Sequence, residues 1–259
     1  MAVLCPDVSD WNVQSIQSIL IELQDNDSRQ DLSAVKRELI ESCGTFPFGV
    51  NHDAAEFFEK LCALEPKLGL CFQTVYNENI FCSGCGDGHH GPPTIDCAFR
   101  LELQAHEGVT SVADLMNNCL AVRDIDQACA ICSPNVNLPF KINLSLFSVP
   151  RVICIFLQRF GFRGARGSKV MTKVECPDVY NLLGVDLRLA GIIDHFGETL
   201  EHGHFSARVR RDGGPWTMMN DEKVGPPGSR TGTEPYIVFY KTINYASSSN
   251  SPREDWLWR

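Results

Sequence analysis

The chain has 259 residues, 44% of them hydrophobic and 21% charged, with 20 Gly, 14 Pro and a formal net charge of −9. This globular composition excludes disordered, collagen-like and coiled-coil chains, and the length allows one large domain or two small ones with a substantial core. The acidic balance argues against a general nucleic-acid binder, and no apolar run reaches the ~20 residues that span a bilayer.

The start, from Met1 to Trp11, has neither the basic nor the apolar region of a secretory signal. The sequence therefore predicts a soluble, intracellular protein, cytoplasmic and/or nuclear, with no nucleic-acid and no membrane partner. Residues 1–65 read as helical. Val13, Ile16, Leu20 and Leu23 recur at helical spacing after a cap at Ser9 or Asp10, and Leu32, Val35 and Leu39 repeat the pattern. A third helix is predicted over residues 52–64, with Ala54, Phe57, Phe58, Leu61 and Leu64 on its apolar side. This stretch is acidic, with twelve Asp/Glu against four Lys/Arg. It is either a solvated face or a surface for a basic partner.

After Pro66 the texture becomes short strands and turns. Strands are predicted over residues 71–76, 98–103, 142–146 and 152–157, the last an apolar run of the fully buried kind. Residues 112–120 read as a short helix. Residues 163–168 read as an exposed loop, inside a stretch from Arg151 to Lys173 that holds six Lys/Arg and no acids. Phe205, Ala207 and Val209 alternate with polar residues as a half-buried strand, residues 236–240 form a late strand, and the Ser-rich tail from Ala246 is expected to fray. Helices first and strands later predict an α+β protein.

Twelve cysteines in a chain without an export signal are read as reduced thiols rather than a disulfide framework. Eight are scattered singly. The other four form Cys82-Ser-Gly-Cys85 and Cys129-Ala-Ile-Cys132, two pairs separated by 43 residues. Each pair in a tight turn can aim two thiolates at one ion, and two pairs close a tetrahedral structural zinc site with no position left for water. His89 and His90 could substitute for a ligand but are not needed. A redox reading of either pair is weaker, because neither stands at a strand-to-helix junction.

The segment from His202 to Trp216 reads as strand, turn and strand about Asp212-Gly213-Gly214, a turn whose glycines tolerate positive φ. Folding the chain there brings together positions whose numbers sum to about 425–427, which sets His204 beside Asp221. A His held by an Asp is the base-and-orienter half of a catalytic triad; it is equally a surface His–Asp pair. His202-x-His204 could offer two metal ligands, but the sequence shows no third.

Several blocks resemble the ubiquitin-specific proteases, papain-like cysteine deubiquitinases built of thumb, palm and fingers. His52-Asp53-Ala54-Ala55-Glu56-Phe57 is similar to the family's Gln-Gln-Asp-Ala-x-Glu-Phe helix start, and Leu189 to Gly197 with Gly203-His204-Phe205 is similar to its histidine box. Trp216 with Asn220-Asp221 and Val224 resembles the end of that box, Tyr236 to Tyr240 its closing strand, and Leu157-Gln158-Arg159-Phe160 its Leu-Lys-Arg-Phe strand. The cysteine pairs occupy the position of its zinc fingers. The match runs in order from about Ile16 to Lys241.

The resemblance implies a thiol-dependent deubiquitinase that cleaves the isopeptide bond after the C-terminal Gly of ubiquitin. It makes His204 the general base and Asp221 its orienter. Asp53 and Glu56 become acceptors for the arginines of the ubiquitin tail, and Cys82, Cys85, Cys129 and Cys132 the ligands of structural zinc. Without the family, Asp53 is a first-turn acid favoured by the helix dipole. It implies a thumb remnant over residues 1–66, fingers and palm over 67–245 and a tail over 246–259. The family's Gly-Asn-x-Cys run, which carries the nucleophile, does not occur in these 259 residues. Neither Cys5 nor Cys43 has its context, so the chain as it stands is expected not to catalyse. Two readings remain open: a deubiquitinase lacking its Cys box, or an inactive ubiquitin-binding pseudoenzyme or scaffold. Phe205 replaces the usual Tyr, and Gln158 the usual Lys.

Overall fold

The structure, a computed structural model, describes residues 40–41, 44, 46, 51–103, 108–129, 131–163, 166–199, 202–210, 214–221, 223–226 and 234–243. The helices expected around Val13–Leu23 and Leu32–Leu39, Cys5, Cys43 and the tail lie outside them. Two compact units divide between Gly69 and Leu70. No helix among the described residues is long and apolar enough to cross a membrane.

In the first unit, helix α1 (Ala54–Leu64) starts where Asp53, in extended backbone, accepts a hydrogen bond of 2.7 Å from the Ala55 N–H. That N-cap contributes about 0.5–2 kcal/mol. Phe46 is buried and packs edge-on against the rings of His52 and Phe57. A second helix, α2 (Pro66–Phe72), replaces the strand expected from Cys71. Pro66 opens this helix rather than closing the last one, since a proline loses nothing at the first helical position. The buried Glu65 accepts from the Lys67 N–H at 3.2 Å. The strand begins later, at Thr74.

Among the described residues, the larger unit holds two large sheets and two two-stranded ones. Strands β1 (Thr74–Cys82), β2 (Gly88–His90), β3 (Thr94–Asp96), β4 (Phe99–Glu102) and β5 (Val109–Ser111) precede helix α3 (Val112–Leu120), which Ser111 caps by accepting from the Asp114 N–H at 3.0 Å. Then come β6 (Arg123–Cys129), β7 (Ser133–Ser148), β8 (Val152–Gln158), β9 (Phe160–Arg163), β10 (Arg166–Lys169), β11 (Lys173–Glu175), β12 (Val179–Leu182), β13 (Val185–Phe196), β14 (His204–Val209), β15 (Thr217–Asn220), β16 (Lys223–Gly225) and β17 (Pro235–Thr242).

A five-stranded sheet runs β2-β1-β7-β6 with β3 on β1; an eight-stranded sheet runs β16-β15-β14-β13-β17-β8-β4 with β12 on β13. The two-stranded sheets are β9 with β10 and parallel β5 with β11. The apolar run of β8 lies between antiparallel β17 and parallel β4, and its six residues Val152 to Leu157 are all buried. A strand covered on both faces reads as this unbroken apolar run rather than as alternation. Beneath the large sheet, Val112 and Met116 of α3 enter the same core as Ile153, Ile155, Leu187 and Tyr240.

Three expectations are corrected here. Arg163 and residues 166–168 lie in paired strands β9 and β10, in register from Arg163–Arg166 to Phe160–Lys169. The basic stretch is also not uniformly a surface, because Arg159 is fully buried and the Lys169 side chain is 1% exposed. The alternation read into β14 fails too: Ser206 is the buried residue, while Phe205, Ala207 and Val209 are half-buried. The strand has neighbours on both sides, and Arg208 satisfies its charge on the buried Asp194 through two hydrogen bonds of 2.9 and 3.1 Å.

Candidate active site and metal centre

Both Cys-x2-Cys pairs stand at the ends of hairpins in the five-stranded sheet. Cys82 ends β1 and turns into Cys85; Cys129 ends β6 and turns through Cys132 into β7. Gly86 lets the first turn close, with φ of +71° and its N–H donating to the Cys82 carbonyl at 3.0 Å. Because β1 and β6 flank β7 on either side, the two turns meet. All four Sγ atoms lie within 4.8 Å of one another, with Cys82–Cys132 at 3.9 Å and Cys85–Cys129 at 3.8 Å.

Four thiolates on a tetrahedral zinc at ~2.3 Å stand about 3.8 Å apart, so this donor set fits that ion. The Gly84 N–H donates to Cys82 Sγ at 3.3 Å and the Cys132 N–H to Cys129 Sγ at 3.4 Å, as anionic sulfur requires. Hydrogen bonds from the backbone N–H groups of Cys85 and Gly84 pull the Cys82 thiol down to about 7. Its crowded neighbour Cys132 is pushed up to about 12 by hydrogen bonding with Cys85, by desolvation and by Cys82. Four sulfurs this close ionise together only around a cation. The side chains of His89 and His90 lie outside those described, and neither pair stands at a strand-to-helix junction as a redox motif would.

The second constellation sits at one edge of the large sheet. β14 pairs with β15 through Ala207–Met219, Arg208–Met218 and Val209–Thr217, so facing positions sum to 426, within the register expected. His204 Nε2 forms a short contact with Asn220 Oδ1, and Asp221 Oδ2 stands 3.8 Å from the same nitrogen. The structure thus brings His204 and Asp221 together but sets Asn220 between them as the nearer partner. Strand parity explains it: His204, Ser206 and Asn220 share a face, whereas Asp221 reaches the ring because the chain turns there at φ of +52°. The Asp221 side chain is 78% exposed and that of His204 44%. An acceptor on Nε2 keeps the proton on that nitrogen and leaves the Nδ1 lone pair as the basic atom.

The ubiquitin carboxyl-terminal hydrolase family model matches residues 14–240. The chain belongs to that family. Among its relatives, the probable ubiquitin carboxyl-terminal hydrolase 16 of Schizosaccharomyces pombe is 21% identical over 69% of this chain and 41% of its own length. Human ubiquitin carboxyl-terminal hydrolases 3 and 2 are 23% and 27% identical over 65% and 68% of this chain, and 38% and 31% of their own. The chain therefore spans less than half the length of these relatives.

Two solved structures share the fold. The Ubp8-Sgf11-Sgf73-Sus1 SAGA DUB module aligns with a TM-score of 0.70 over 90% of this chain and 58% of that one, at 17% identity. The SAGA DUB module bound to monoubiquitin aligns at 0.60 over 74% and 48%, at 19% identity. The fold is that of the ubiquitin-specific proteases, a papain-like α+β architecture with a β-rich body.

In this carboxyl-terminal hydrolase domain, Asp53 spends its carboxylate on the α1 N-cap and Glu56 lies exposed in the first helical turn. Two other described thiols, Cys119 and Cys176, are pushed up by burial, Cys176 to about 12, the reverse of what a nucleophile requires. The residue that sequence reasoning passed over is Asn220. The register that pointed to Asp221 already set Asn220 on the face of His204.

Proposed function

We propose that this domain acts on ubiquitin and carries the base-bearing half of a thiol-dependent deubiquitinase. The observation that supports it most is the imidazole of His204 held through Nε2 by Asn220 and Asp221, within a chain of this family. In that reading Nδ1 takes the proton of an attacking thiol and returns it to the departing lysine amine of the isopeptide bond after the ubiquitin C-terminal Gly. Asn220 and Asp221 fix the tautomer and stabilise the imidazolium. Cys82, Cys85, Cys129 and Cys132 hold zinc, which supplies structural cross-linking of the fingers and no chemistry of its own. Glu56, with Asp53 beside it, receives the arginines of the ubiquitin tail. Reduced thiols at the zinc site imply a cytoplasmic or nuclear setting.

A second reading, an inactive ubiquitin-binding pseudoenzyme, draws support from the lack of a Gly-Asn-x-Cys run in the 259 residues and from the raised thiols of Cys119 and Cys176. Both readings require ubiquitin binding. Titrating 15N-labelled ubiquitin with the chain should move its C-terminal tail resonances, and Glu56→Lys should weaken the interaction by about tenfold, as loss of one charge-assisted pair does. Unmoved tail resonances would exclude both.

A further inference from the structure

We infer that Lys169 is a positioning residue for His204, acting through the turn that leads into β14; this rests on reading His204 as the base. The Lys169 side chain, 1% exposed, stands at the end of the β9–β10 hairpin with its ammonium aimed into the protein. Its three donors are all used: 2.6 Å to the His195 carbonyl, 2.9 Å to the Gly197 carbonyl and 2.5 Å to Glu234 Oε2. A buried lysine with three acceptors in tetrahedral reach is fully satisfied, and such a cation is costly to bury unless it is.

What it grips matters more than the bond count. His195 and Gly197 bracket the end of β13, and the chain from there returns as Gly203-His204 to start β14 opposite Phe196. Contact continues past the lysine. Gly197 sits at φ of +122° so close to the His202 carbonyl that a Cβ would lie 2.5 Å from it, and a Cβ on Gly203 would lie 2.1 Å from His195 Nε2. The ring of His195 is in turn held by Phe160, the cross-strand partner of Lys169, with centroids 5.2 Å apart. On the other side, the His195 N–H donates to the Glu234 carbonyl at 3.2 Å. One side chain thus ties the β9–β10 hairpin, the end of β13 and the start of β17 around the turn whose last residue is the candidate base. These contacts fix the backbone from which His204 projects, which is what holding a base in a fixed orientation demands.

The test reads the ring nitrogens of 15N-histidine-labelled, full-length protein by long-range 1H–15N correlation, with His204 assigned by the peaks lost in His204→Gln. Wild type should show the Nε2–H tautomer. Lys169→Met, which keeps the stem and removes the charge, should convert the His204 signals to a tautomer-averaged pair. It should also speed amide exchange at residues 202–204 by about tenfold while leaving residues 152–157 protected. Glu234→Gln should move the same signals in the same direction by less. If wild type shows Nδ1–H, the reading of His204 fails and this inference falls with it. If wild type shows Nε2–H and a folded Lys169→Met leaves the His204 signals in place, only the role of Lys169 is refuted. Should Lys169→Met not fold, unchanged His204 signals in Glu234→Gln refute that role equally.

Discussion

Among the described residues, the eight-stranded sheet and the elements on it bury sixteen side chains in one apolar cluster, whereas the cluster of the five-stranded sheet holds three, Cys82, Cys129 and Phe140. At about 1.5–3 kcal/mol per fully buried large side chain, the first cluster contributes several times what the second does. In the second, the two buried cysteines are small and the one aromatic is at the margin of burial. The difference teaches where each sheet draws its stability: the large one from packing throughout, the five-stranded one from Tyr76, Leu144 and Leu146 against the large core at one end and from the meeting of two hairpin tips in four thiols at the other. It also suits the large sheet to carry the candidate base. A base must be held to a fraction of an ångström, and only the packed sheet supplies that rigidity.

The largest effect expected from this contrast follows metal removal. Chelation, or the double substitution Cys82→Ser with Cys129→Ser, should release stabilisation on the scale of about 10 kcal/mol that structural zinc provides. Hydrogen exchange should then become fast across β6 and β7 and stay slow in β8 and β17. Equal loosening of both sheets would break the comparison. Next in size, Ile155→Ala should cost about 2–5 kcal/mol in urea unfolding, because Ile155 is 1% exposed in the middle of the large core. Metal affinity should not change with it. Asp53→Ala should cost about 1 kcal/mol through its lost N-cap and speed exchange in α1; unchanged exchange there would contradict the cap.

The smallest effect is a slope. Burial is the main cause that raises the Asp194 carboxyl above its ordinary value of 3.8, with Arg208 pulling the other way. The folded chain therefore keeps this proton to higher pH than the unfolded chain. Its contribution to stability is complete below the ordinary carboxylate range and is lost as pH rises through the raised value. Asp194→Asn, which cannot ionise, should flatten that part of the stability-versus-pH curve. An unchanged slope in urea unfolding across the same range would show that Asp194 does not titrate there.

Much of this was legible in the residues. The run at 152–157 gave its strand because it is short and rich in β-branched residues, and the turn glycines fixed the β14–β15 register closely enough to bring His204 to its partners. The two cysteine pairs announced their meeting, although neither alone reveals that β7 lies between them. Pro66 misled, since proline ends one helix and starts another with equal ease, and only Glu65 capping Lys67 decides which. The basic stretch misled for a different reason. Arg159 and Lys169 look like surface charges until the carbonyls of Pro235, Val170, Thr172, His195 and Gly197 are seen to converge on them, and those partners are 11 to 76 residues away in the chain. Long-range carbonyl acceptors leave no mark in sequence. Asn220 was within reach of strand parity, had the face been considered as well as the sum.

The most direct test of the account is intact mass after mixing the purified chain with ubiquitin that carries a C-terminal thiol-reactive electrophile. The account predicts binding without a covalent adduct, because the base lacks a thiol in its Gly-Asn context. A gain of one ubiquitin that disappears in His204→Ala would contradict it and identify a nucleophile within these 259 residues.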